Sequence, residues 1–218
     1  MFDFALARTN MVDNQLRPNG ITNSRILDAM QAVIREDFVP PAQRALAYMD
    51  GDVALDGSTN RFLIEPMAFA KMVQLATIST EDRVLQIGAG TGYGSAVLAQ
   101  VAGQVVALES DAQLLSIARA NLKNLVNVSL IEGLLSAGAA AAGPFDVIII
   151  EGRVEQVPEP LFLQLKNGGR LVTAMGERDM AKCCVWTADG KNYTQKFAFD
   201  ISVATLPNFG KPKAGFAF

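Results

Sequence analysis

Residues 84–98 read VLQIGAGTGYGSAVL: an apolar run, glycines at 88, 90 and 92, then a second apolar run. The first run predicts a short buried strand over 83–87, and the second a helix over roughly 95–101. A glycine-rich turn carries meaning only in this setting, between a strand and a helix. Glycine lets the chain bend tightly and lets a ligand approach the main chain with no Cβ in the way. The turn also falls at the carboxyl end of the opening strand, where open α/β sheets bind ligands.

The spacing separates two cofactor classes. A dinucleotide turn is Gly-x-Gly-x-x-Gly, with a small residue for close packing at the sixth position. Counted from Gly88, that position is Tyr93, whereas the chain offers Gly-x-Gly-x-Gly. This pattern resembles the S-adenosylmethionine turn. A second strand is predicted over 104–108, and Glu109 ends it, 21 residues after Gly88. A carboxylate there can accept hydrogen bonds from both ribose hydroxyls. The candidate cofactor contacts are therefore Gly88, Ala89, Gly90, Thr91, Gly92, Glu109 and Ser110. The reading requires a bend free of protein side chains and a Glu109 turned towards it.

Outward from the turn, strands and helices alternate. Asp111 caps a helix running to about residue 124. Strands follow over 128–131 and 145–150, the latter apolar at nearly every position, which fits parallel strands covered on both faces. Pro158 or Pro160 opens a helix carrying Leu161, Phe162 and Leu165. Gly168-Gly169 ends it, and 170–173 is a fifth strand. Strands over 183–187 and 197–204, with Asp189-Gly190 between them, read as a closing hairpin. On the amino-terminal side, Thr22, Asn23 and Ser24 are cap types before a helix with Ile26, Leu27, Met30, Val33 and Ile34 at helical spacing. Pro41 starts a short helix, 50–60 reads as a loop, and Pro66 opens another helix. The expected architecture is a Rossmann-like α/β fold with a mainly parallel sheet and an antiparallel carboxyl-terminal hairpin. A helical extension (1–80) packs on the core (81–218).

Composition narrows the chemistry. Half of the 218 residues are hydrophobic and 19% are charged, enough for a sizeable core, while a net charge of −3 gives no footprint for nucleic acid. No apolar run approaches bilayer length. The two cysteines, Cys183 and Cys184, are adjacent and read as free thiols, which favours a cytoplasmic compartment. The chain contains no histidine. Ser-His-Asp and Cys-His catalysis, histidine general bases and histidine metal ligands are all removed at once, and no metal site is expected. Trp186 reads as core or interface. Glu151 and Arg153, after the fourth strand, read as solvated loop charges or, for Arg153, as a substrate contact. The Phe-rich end (209–218) reads either as packing back on the sheet or as sealing an oligomer, and the oligomeric state stays open.

An ordered series of segments carries a family resemblance. MVDNQL (11–16) with GI (20–21), REDFVP (35–40), AYMD (47–50), VLQIGAGTGYGSAVLA (84–99), PFDVIII (144–150), VPEPLFLQLKNGGRLV (157–172) and Met175-Gly176 resemble, in order, the protein-L-isoaspartate O-methyltransferase family. The resemblance implies methyl transfer from S-adenosylmethionine to the carboxylate of an isoaspartyl residue in a damaged protein or peptide. That chemistry suits a chain without histidine. A carboxylate with an ordinary pKa of about 4 is already ionised and needs no general base.

Three positions depart from the family pattern. The family's substrate-linked serine falls on Ile64 or, in the other register, on Phe62, with Ser58 and Thr59 as displaced hydroxyl candidates. The resemblance also implies a cofactor contact at Gly133 and Leu134, after the third strand, where Leu134 replaces an aspartate resembling an adenine acceptor, and Gln86 replaces an acid before the turn. These departures keep two alternatives in view: a catalytically degenerate relative serving as a binding module, and a methyltransferase with another acceptor.

Overall fold

The computed structural model describes residues 2–55, 60–177 and 180–209. Its centre is a seven-stranded sheet: β3 (Arg83–Ile87), β4 (Gln104–Glu109), β5 (Val128–Glu132), β6 (Phe145–Val154), β7 (Leu165–Met175), β8 (Ala181–Asp189) and β9 (Asn192–Ile201). The spatial order is β5-β4-β3-β6-β7-β8-β9. The first five run parallel, and β8 and β9 add antiparallel at one edge. Helices α4 (Tyr93–Val101) and α5 (Ala112–Leu122) cross from β3 to β4 and from β4 to β5. The chain then returns to place β6 on the other side of β3, so the order reverses there. A crevice at such a switch point is where open sheets take ligands.

The Val, Ile and Leu runs form these strands because both faces are covered. Val84, Val147, Ile149 and Cys183 join one cluster with the amino-terminal segments and α3 (Pro66–Ala76). Leu85, Ile87, Ile148, Ile150, Cys184 and Trp186 join a second. Alternation along a strand explains the split, and it sends the two free, buried thiols to opposite faces. Trp186 is core, its ring edge-on to Phe162 at 5.8 Å. Phe209 packs into the second cluster; the remainder of the Phe-rich end, 210–218, lies outside the described residues. Among the described residues, no helix is long and apolar enough to cross a membrane.

The amino-terminal segments begin with α1 (Phe4–Asn10), then a turn of π-helix over Met11–Leu16 and α2 (Ser24–Ala32), capped by Asn23. They pack on α3 and α4 within the first cluster. Three of the family-like segments meet here. Gln15 donates to the Tyr48 carbonyl at 2.8 Å, and Arg35 Nε to the Ala47 carbonyl at 2.6 Å.

Two stretches differ from expectation. Within 50–60, β1 (Val53–Ala54) pairs antiparallel with β2 (Phe62–Leu63), so this is a small hairpin rather than a plain loop. Helix α6 (Glu159–Phe162) stops early, and Leu165 begins β7. Tertiary hydrogen bonds end that helix: the Gln164 side chain holds the Ala137 and Pro160 carbonyls and the Ala139 amide, and its carbonyl accepts from Phe145 N at 2.8 Å. Gly168-Gly169 then sits inside the β7 irregularity, where pairing jumps from Phe145↔Leu165 to Val147↔Arg170.

Candidate cofactor site

The bend after β3 is laid down by main chain. Gly88 N and Ala89 N both donate to the Leu108 carbonyl, at 2.9 and 3.1 Å, and Gly92 N closes on the Ala89 carbonyl at 2.9 Å. Gly88, Gly90 and Gly92 all take positive φ (87°, 57° and 98°), a region that side chains resist. The alternating glycines are thus required by the conformation, and Gly92 in the left-handed region starts α4. Thr91 is committed to structure: its hydroxyl donates to the Phe38 carbonyl, and its own carbonyl accepts from Asn121 at 2.9 Å.

Glu109 ends β4 with its carboxylate turned into the bend and wholly buried. Gly90 N donates to Oε2 at 2.7 Å, and Ser110 N and Asp111 N donate to Oε1 at 2.8 and 3.0 Å. Gly133 N donates to the Glu109 carbonyl at 3.0 Å, and so brings the end of β5 to the same edge. Leu134 beside it is exposed. Gly88, Ala89, Gly90, Thr91, Gly92, Glu109, Ser110 and Gly133 therefore converge on one place.

The bend is not bare, and here the sequence expectation is corrected. Arg61 lays its guanidinium on Glu109 in a two-pronged pair, Nη1 to Oε1 at 2.6 Å and Nη2 to Oε2 at 2.9 Å. Its side chain is 4% exposed. Leu206 and Leu55 close the remaining space: a Cβ at Gly88 would stand 3.0 Å from Leu206, and one at Gly90 2.9 Å from Leu55. Arg61 and Leu55 come from the β1–β2 hairpin, joined by Leu55 N to the Arg61 carbonyl at 2.9 Å. Leu206 comes from the irregular segment following β9, which a single bridge, Arg153↔Thr205, ties to β6: Arg153 N donates to the Ala204 carbonyl and Leu206 N to the Arg153 carbonyl. Asp52 stitches the two pieces, accepting from Glu65 N and from Ala204 N at 2.8 Å each. Leu55 also lines a neighbouring cleft of about 360 Å³ with Phe38, Pro40, Thr91 and Ile117.

Beneath the turn is a buried polar cluster. Gln86 donates to Glu151 and accepts from the Ser95 hydroxyl. Glu151 is thus no solvated loop charge; it lies within β6, buried, and its neighbour Arg153 bonds Thr205. Burial pushes the Glu151 carboxyl up to about 7, opposed by the Gln86 hydrogen bond and the Arg35 charge. The acid missing at position 86 is therefore replaced by one from the adjacent strand. Arg35 is also buried, with Nη2 on the Ile64 carbonyl at 2.7 Å and its guanidinium 4.6 Å over the Tyr93 ring. Ile64 is core and Phe62 lies in β2. Ser58 and Thr59 lie outside the described residues. Arg61, Leu55, Leu206 and Asp52 carried no sequence signal, since each reaches the site only through tertiary contacts.

By residue type the cradle fits a nucleoside. It has a bend that tolerates only glycine and an acid ending the next strand. As arranged, however, Arg61 holds both Glu109 oxygens, and Leu206 and Leu55 lie against Gly88 and Gly90.

The comparisons agree with this architecture. The "Protein-L-isoaspartate O-methyltransferase" of Koribacter versatilis is 40% identical over 180 residues, covering 81% of this chain and 80% of its own. That of Methylorubrum extorquens is 43% identical, covering 80% and 76%. A solved protein-L-isoaspartate O-methyltransferase superposes with a TM-score of 0.81 at 25% identity, over 93% of this chain and 67% of that one. A Plasmodium falciparum structure assigned to the same enzyme, in complex with S-adenosyl-L-homocysteine, gives 0.76 at 18% identity over 94% and 99%, a likeness of fold. The profile of the family described as "Protein-L-isoaspartate(D-aspartate) O-methyltransferase (PCMT)" matches residues 7–204, and the chain belongs to that family of methyltransferases.

Proposed function

We propose that the chain is an S-adenosylmethionine-dependent O-methyltransferase acting on the carboxylate of isoaspartyl residues in damaged protein or peptide. The observation that carries this is the juxtaposition of the Gly88–Gly92 bend with the inward-facing Glu109 carboxylate in a chain of this family. When bound, the cofactor supplies an electrophilic methyl on a sulfonium. The chain's part is to hold and orient. Glu109 is the acceptor for a sugar's hydroxyls, kept in place by three main-chain amides. Gly88 and Gly90 admit close approach to the backbone. The acceptor carboxylate arrives ionised, so the absence of histidine removes nothing the reaction needs. Gly133 and Leu134 would hold the adenine, Leu134 by apolar contact in place of a hydrogen bond. The free, buried thiols fit a reducing compartment, the cytoplasm.

The test is transfer of labelled methyl to an isoaspartyl peptide beside its aspartyl counterpart. A base-labile ester on the isoaspartyl peptide alone is expected. Labelling of neither peptide, in a preparation that binds S-adenosylhomocysteine, would sink the acceptor assignment. A second reading, a non-catalytic relative, is favoured by the Arg61 pair over the cradle and by Leu134, and any such ester excludes it.

A further inference from the structure

We infer that Arg61 is an internal competitor of the cofactor's sugar for Glu109, and that loading the site requires the β1–β2 hairpin and the 203–206 segment to lift together. The inference rests on the proposed function for the identity of the ligand. It rests on this chain's geometry for everything else.

A guanidinium and a ribose diol ask the same thing of a carboxylate: two parallel acceptors. Glu109 offers two oxygens, and Arg61 takes both at 2.6 and 2.9 Å in a dry setting. With the three amides from Gly90, Ser110 and Asp111, five donors share about four lone pairs, leaving none free for a sugar. Neutral hydroxyls cannot displace a charge-assisted pair at no cost, so the sugar binds only the fraction of molecules in which Arg61 has left. Apparent affinity falls by that fraction.

The lift is concerted because the cover is one piece. Asp52 holds Glu65 N and Ala204 N at once, so the hairpin that carries Arg61 and Leu55 is tied to the segment that carries Leu206. Withdrawing Leu55 also uncovers Gly90 and opens the bend towards the cleft that Leu55 shares with Thr91 and Phe38. The Glu109 carboxylate survives the departure of Arg61, because its three amide donors belong to the cradle.

Isothermal titration of the whole chain with S-adenosylhomocysteine tests this. Arg61→Ala should tighten binding about tenfold or more over the wild type, and Asp52→Asn should tighten it to a lesser degree. In the wild type, hydrogen exchange should rise at the Leu55 and Leu206 amides as the ligand saturates, while the Gly90 amide stays protected. This second measurement needs no variant to fold. Equal affinity in wild type and variants, or added protection at Leu55 and Leu206 on binding, overturns the competition and leaves the proposed function standing. No binding by any of the three proteins at millimolar ligand overturns both.

Discussion

The cradle and its cover meet face to face at one carboxylate, yet they are built on different principles. The cradle is main chain: Gly88, Ala89, Gly90, Ser110 and Asp111 amides, and glycines in conformations that other residues resist. The cover is side chain: one guanidinium and two leucines from segments far away in sequence, held together by Asp52. Amides within one strand–turn–helix unit stay organised through local fluctuation, whereas a hairpin of two residue pairs has little main-chain pairing of its own and is held by what its side chains touch. The cradle should therefore persist when the cover moves, and the converse should fail.

The largest expected effect breaks that asymmetry or confirms it. Glu109→Ala removes the cradle's half of the pair and strands the buried Arg61 guanidinium together with the amides that Glu109 satisfied. A loss of about 3–5 kcal/mol is expected, as for other buried pairs broken on one side. Arg61→Ala removes the cover's half and leaves Glu109 its three amide donors, so roughly half that loss is expected. Urea denaturation of both variants checks this. Equal losses would mean that the cradle depends on its cover.

The next effect concerns the cover alone. Leu206 is 5% exposed and fills the space over Gly88 and Gly152. Leu206→Ala should cost about 2–3 kcal/mol, the low end for a buried leucine, since the segment sits at the sheet mouth and can relax. By emptying space over the bend it should also tighten S-adenosylhomocysteine binding, which thermal shift would show as a larger ligand-induced rise in Tm than in the wild type. A smaller rise would place Leu206 among the residues that hold the ligand rather than those that bar it.

The same division explains what could be read from the sequence. The cradle's elements lie within a few dozen residues, and each has a local cause: a β-branched run, glycines at alternate positions, an acid at a strand end, a capping Asp111. The parallel sheet and closing hairpin follow from similar patterns. The cover's residues have no such cause. Arg61 follows a polar stretch and looks like a surface charge until the fold turns it inward. Leu206, 118 positions after Gly88 in the chain, is an unremarked leucine before Pro207. Helix α6 ends before its apolar pattern does for a related reason, because the hydrogen bonds of Gln164 to 137, 139 and 160 decide its end.

The smallest effect tests the layer beneath the cradle, where the chain has moved an acid from one strand to its neighbour. Glu151 faces Gln86 on β3 and lies within the influence of Arg35, Arg61 and Glu109, and burial raises it from 4.5 to about 7. The folded chain therefore holds this proton more tightly than the unfolded one. The resulting stabilisation is complete below about pH 4.5 and is lost as pH rises through about 7. Between pH 5 and pH 8 the wild type should lose about 2 kcal/mol from this group alone. Glu151→Gln, which keeps the shape and a hydrogen bond to Gln86, should flatten that part of the profile, so that the variant gains on the wild type as the solution becomes alkaline. Parallel slopes for the two proteins would show Glu151 ionised throughout that range, its charge balanced by Arg35. The turn would then rest on an ion pair rather than on a neutral acid.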